Sequence, residues 1–129
     1  MRRAALCVLL AAVAAFAPAA AHADCNIHPG DHVVLYSGSD DPDVLLWDSR
    51  FRLRDYHAAS FDVARELEKH ADLITPGTRS IVEACVPDFV LSPLSDHPTD
   101  AVGVQIVAGP HHGERGWVIG TDVRHVKIP

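Results

Sequence analysis

Cys25 and Cys85 are the only cysteines beyond residue 23. Three chemistries are open to such a pair: a disulfide, a reactive thiol or a metal site. Neither residue sits in a C-x-x-C motif, so a structural disulfide is expected. In the chain-entropy picture the loop between them makes that bridge worth about 4 kcal/mol. Histidine is the second reactive type. The chain holds nine, eight of them beyond residue 23. Histidine ligates zinc or copper readily and titrates near neutrality. His28 and His32 flank Pro29-Gly30-Asp31, where a turn could join them, and His111-His112 sits in a turn-rich stretch. No H-E-x-x-H pattern organises them, and the Pro-Gly pair excludes a helical i, i+4 arrangement of His28 and His32. Scattered surface histidines are the expectation, with a metal site at His28, His32, His111 and His112 as the alternative.

The third group is acidic and aromatic. Asp40, Asp41, Asp43 and Asp48 form an acidic stretch. Its spacing is not that of a calcium loop. Tyr36, Trp47, Tyr56 and Trp117 could line a groove, although Trp47 and Trp117 lie in apolar runs that favour packing. The ligand contacts to expect are Tyr36, Asp40, Asp41, Asp43, Trp47 and Trp117. No G-x-S-x-G elbow, no glycine-rich phosphate loop and no free cysteine nucleophile is present, so catalysis is not expected. The formal charge of −6 argues against nucleic-acid binding, which needs a basic face. No cofactor is implied.

The start of the chain assigns a compartment. Met1-Arg2-Arg3 is positive, residues 4–16 are apolar, and Ala21-His22-Ala23 is a small-x-small cleavage site. The apolar run falls short of the ~20 residues that cross a bilayer. Residues 1–23 read as an export signal, and 24–129 as one domain with no membrane span. Losing two arginines takes the formal charge from −6 to −8. The expected location is periplasmic or secreted, where two cysteines would oxidise.

These residues need elements to position them. Residues 32–36 and 44–47 read as strands, with a polar turn between them. Arg50-Phe51-Arg52-Leu53-Arg54 alternates and predicts an extended segment. Residues 60–73 predict the only helix, capped by Ser60, with Phe61, Ala64, Leu67 and Ala71 on one stripe. Residues 78–86 predict a strand with Val82, Ala84 and Val86 on one face. Residues 87–99, with three prolines, predict a long loop. Strands at 102–107, 117–119 and 123–128 follow.

The C-terminal half, about residues 76–127, resembles bacterial SH3-like barrel domains. Pro76-Gly77-Thr78-Arg79-Ser80-Ile81-Val82 is similar to their opening strand. Residues 104–113 resemble a strand entering the distal hairpin, and Gly113-Glu114-Arg115-Gly116-Trp117-Val118 resembles the G-x-x-G-W-V signature that leaves it. Thr121-Asp122-Val123 matches the short turn before the last strand. The resemblance implies a mainly β fold, a small SH3-like β-barrel, here with one added helix, in which Trp117 plugs one end. It also implies a non-enzymatic binding module. Its acidic loop would receive basic peptides, and a peptide, protein or cell-wall ligand is the expected partner.

Overall fold

The computed structural model describes residues 25–38, 41–93 and 95–126. The expected export signal, residues 1–23, and Asp40 lie outside the described residues. The chain is mainly β. Its strands are β1 (His32–Leu35), β2 (Val44–Trp47), β3 (Ala71–Ile74), β4 (Thr78–Val90), β5 (Thr99–Ile106), β6 (Arg115–Ile119) and β7 (Val123–His125). All pairings are antiparallel, in the order β3-β2-β6-β5-β4-β1-β7, and the sheet curls into a half-barrel. Two helices, α1 (Arg50–Ala58) and α2 (Phe61–Leu67), lie between β2 and β3. Among the described residues, no helix is long and apolar enough to cross a membrane.

Strand alternation builds two cores, one on each face. On the concave face Val33, Leu35, Val44, Leu46, Ile74, Val102, Val104, Ile106 and Val118 are buried together. Their neighbours in sequence point the other way. Trp47, Ala101, Trp117 and Ile119 pack on the convex face with Leu53 and Tyr56 of α1 and Leu67 of α2. The helices are therefore the lid of the second core.

Four sequence expectations change. Residues 50–54 are helical, not extended. Ser49 caps α1, its hydroxyl accepting from the Phe51 N–H at 3.1 Å. A five-residue alternation cannot separate a strand from a helix whose inward face is the buried Leu53 and, three and four residues on, the half-buried Tyr56 and His57. The predicted single helix at 60–73 is shorter. It ends at Leu67, passes through a 3-10 turn at Glu68–His70, and gives way to β3. Ala71 to Ile74 pair with Trp47 to Val44, and those ladder bonds outweigh the continued helical stripe. Phe61, the first residue of that stripe, is 77% exposed.

The third change is in β4. It runs through Pro87 to Val90, where a loop was expected. The β4–β5 register shifts between Val86 and Val90, so Pro87 occupies an irregular stretch where a missing N–H is tolerated. A second shift, between Val82 and Ala84, reverses the side-chain parity. Val82 thus packs in the concave core and Val86 in the convex one.

The fourth concerns Trp117. Val118, its neighbour, joins Val104 and Ile106, and Trp117 lies half-buried on the convex face over Gly103. It does not plug a barrel end. The β5–β6 turn carries positive φ at Gly109 and Gly113. Gly116 has a different reason: a Cβ there would stand 2.6 Å from Leu46 Cγ and 2.7 Å from the Trp47 carbonyl oxygen.

Cys25 and Cys85 form the disulfide, with Cα atoms 6.3 Å apart. It ties the segment before β1 to the middle of β4.

Candidate functional site: an acidic cleft between the sheet and the helices

The residues with chemical potential converge where the loop after β1 meets the helical lid. Asp41 and Asp43, on the approach to β2, line two adjoining cavities. The smaller, about 110 Å³, is walled by Leu45, Trp47, Tyr56, His57 and Asp122. The larger, about 470 Å³, opens over Leu45 and Leu73 toward Arg65, Glu68 and Lys69.

Each side chain has a positioning element. Trp47 comes from β2 and Tyr56 from α1, with ring centroids 4.9 Å apart. The Tyr56 hydroxyl donates to Glu68 Oε1 at 2.9 Å, which ties α1 to the turn after α2. His57 stands edge-on to Tyr56 at 5.1 Å. Asp122 belongs to a 3-10 turn, Gly120–Asp122, just before β7. Its Oδ1 accepts the Gly38 N–H at 2.7 Å, and its backbone oxygen accepts the Tyr36 N–H at 2.8 Å. The loop after β1 is thereby fastened to the end of the chain.

The electrostatics agree. All three groups whose titration is clearly displaced, among the described residues, line the smaller cavity. Burial raises the Tyr56 pKa above the usual phenol range, helped by the bond to Glu68 and by the charges of Glu68 and Asp41. Burial lowers the His57 pKa, favouring neutral imidazole. Burial raises the Asp122 pKa, and the Asp41 charge adds to this, against the opposing bond from Gly38. Such clustering of displaced groups in one cleft is a mark of functional sites. The arrangement holds negative charge over an aromatic floor, suited to a cationic group with an apolar stem.

The structure distributes the sequence candidates unevenly. It brings Asp41, Asp43 and Trp47 together. Tyr36 lies outside this cleft, its ring under the Arg124 guanidinium at 5.4 Å. Trp117 borders a different cavity with Glu83, Gly103 and Arg115. The Arg50 guanidinium stands 5.7 Å from its ring centroid. The four candidate histidines do not converge. His28 borders a cavity beside the disulfide and His32 one beside Arg79 and Val107. His111 bonds Glu114 at 2.8 Å in the β5–β6 turn, and the adjacent His112 is exposed. Among the described residues, no group of three metal-ligand atoms within 4.8 Å of one another includes a histidine.

His57, Glu68 and Asp122 escaped the sequence reading, and Tyr56 entered it only as an aromatic. A helical reading of 50–58 would have placed Leu53, Tyr56 and His57 on one face. Asp122 is joined to its site across 84 residues, and no local pattern carries that. Comparison of the chain with protein-family models, curated proteins and solved structures returns no match.

Proposed function

We propose that the protein is an exported, non-enzymatic binding module of SH3-like type, and that its acidic cleft takes a lysine- or arginine-bearing peptide segment of a protein or of cell-wall material. The observation that carries this reading is the placement of Asp41 and Asp43 in the walls of two adjoining cavities that share Leu45, the smaller of them also walled by Trp47 and Tyr56. A cationic side chain can lay its methylenes along those walls and its charged end among Asp41, Asp43 and Asp122. Tyr56 and His57 are both held neutral at physiological pH, so neither opposes a cation. The basic residues at the cleft mouth are partly engaged. Lys69 pairs with Glu66 at 2.9 Å, and the Arg65 guanidinium lies 5.9 Å from the Phe61 ring centroid. Export is supported by the residue 1–23 pattern and by the Cys25–Cys85 disulfide, which suits an oxidising compartment.

The test is titration of the protein lacking residues 1–23 with a short oligolysine peptide, followed by heteronuclear NMR, with oligoglutamate as control. Saturable shifts at the Trp47 indole and at Leu45, lost with added salt and in Asp41→Asn/Asp43→Asn, support the reading. An oligolysine response that is absent, or unchanged in that double variant, overturns it.

A further inference from the structure

A second site stands at the disulfide, and it does not depend on the reading of the acidic cleft. We propose that Cys25, Cys85 and Asp100 form a zinc site when the disulfide is reduced, with His28 as the fourth ligand. The two Sγ atoms and an Asp100 carboxylate oxygen lie within 4.8 Å of one another, and all three residues are partly buried. Two thiolates, a carboxylate and an imidazole make a donor set suited to tetrahedral Zn²⁺.

Contacts other than the S–S bond also hold the two cysteines and Asp100 near one another. Cys85 and Asp100 sit on adjacent paired strands, with Cys85 opposite Val102 and Val86 opposite Ala101. The Cys25 segment is anchored separately. The Gly30 N–H donates to the Val82 carbonyl at 2.7 Å, and the Val82 N–H to the Asp31 carbonyl at 2.9 Å. His125 Nε2 contacts the Asn26 carbonyl oxygen at 3.1 Å. Opening the bond therefore leaves the two thiols facing each other. Zinc–sulfur bonds of about 2.3 Å at tetrahedral angles need the sulfurs ~3.8 Å apart. Rotation about Cα–Cβ supplies that spacing while the Cα atoms keep their 6.3 Å separation.

The carboxylate is already oriented. The Asp88 N–H donates to Asp100 Oδ1 at 3.1 Å, leaving the other oxygen for metal. His28 lines a surface cavity of about 240 Å³ together with both cysteines. Its exposed ring can swing inward, and its Nδ1 stands 4.0 Å from Asp31 Oδ2.

The chemistry balances. A trialkylphosphine attacks one sulfur and breaks the S–S bond; water hydrolyses the adduct, giving two thiols and the phosphine oxide. Zn²⁺ then displaces the two thiol protons. The oxidised protein has no thiolate to offer, so metal binding is gated by the redox state.

The experiment uses the full chain from residue 24, reduced anaerobically with a phosphine and titrated with Co²⁺ and then with competing Zn²⁺. The expected result is a one-to-one complex with thiolate-to-cobalt charge-transfer absorption, absent from the oxidised protein. Asp100→Asn should weaken zinc by at least about tenfold, since even outer-shell partners of metal ligands are worth 10–100-fold. His28→Ala should weaken binding and keep the charge-transfer band. Should the reduced protein lose its fold, zinc must restore the near-ultraviolet signal of Trp47 and Trp117, because a ligand of the native state stabilises it by mass action. Absence of the charge-transfer band, failure of zinc to restore that signal, or undiminished zinc binding in Asp100→Asn overturns the proposal.

Discussion

Gly116→Ala should destabilise the fold far more than Gly103→Ala, though both glycines lie within the same pair of strands. A methyl group at 116 would stand 2.6 Å from Leu46 Cγ, 2.8 Å from its Cδ1 and 2.7 Å from the Trp47 carbonyl oxygen. Unstrained carbon contacts lie near 3.5–4.0 Å, so about 1 Å of movement is required. Leu46 is 2% exposed and cannot turn outward. The carbonyl is backbone. β2 and β6 meet at one register pair, Trp47 with Trp117. That seam joins β2 and β3, and hence the acidic cleft, to the rest of the sheet. Overpacking there should cost ~1–3 kcal/mol. The gain from replacing a strand glycine, about 0.5–1 kcal/mol, offsets only part of it. At Gly103 the added carbon would lie 3.4 Å from the Trp117 ring, which is half-buried and has room to shift. The strand gain and the small crowding should then nearly cancel. Urea unfolding of the oxidised protein lacking residues 1–23, followed by tryptophan fluorescence, measures both. Equal stability of Gly116→Ala and the parent, or a larger loss in Gly103→Ala, would refute this reading of the β2–β6 seam.

Other outcomes follow from the same contacts. Cys85→Ser should cost up to about 4 kcal/mol, because the bridge closes a loop with a sequence separation of 60; an unchanged melting temperature would contradict this. Trp47→Ala, at 1% exposure, should cost ~3–5 kcal/mol, and Trp117→Ala less, because Trp117 is only half-buried; thermal unfolding ranks them. His57 has a lowered folded pKa, so its contribution is full above 6.5 and fades as pH falls through that value toward the folded pKa. His57→Gln should flatten the stability–pH curve there. Asp122 has a raised folded pKa, so its contribution is present below 3.8 and is lost as pH rises through the folded pKa. Asp122→Asn should therefore hold or raise stability at neutral pH while its amide oxygen still accepts from Gly38; a marked loss at neutral pH would show that the ionised carboxylate is needed.

The parts of this molecule legible in the sequence are those whose cause is local or covalent. Val44 to Trp47 is apolar throughout because each face of β2 meets its own core, and four residues are enough to display that. The cysteine pair was legible because arithmetic left one partner for each. The convex core was not legible, because it requires two helices to fold back over a sheet that already has a filled concave face. Arg50, Arg52 and Arg54 hid α1: their alternation with Phe51 and Leu53 imitates a strand, and the stripe that matters begins only at Leu53. The same misreading concealed the cleft. Asp41, Asp43 and Trp47 stand out as residue types, yet Tyr56 and His57 join them only through α1, Glu68 through the turn after α2, and Asp122 through a bond spanning 84 residues. A sequence can name an acidic loop and an aromatic strand. Whether they face one another is decided by the element between them. In this chain that element is α1, whose one buried residue, Leu53, lies with Trp47, Tyr56 and His57 in the wall of the smaller cavity.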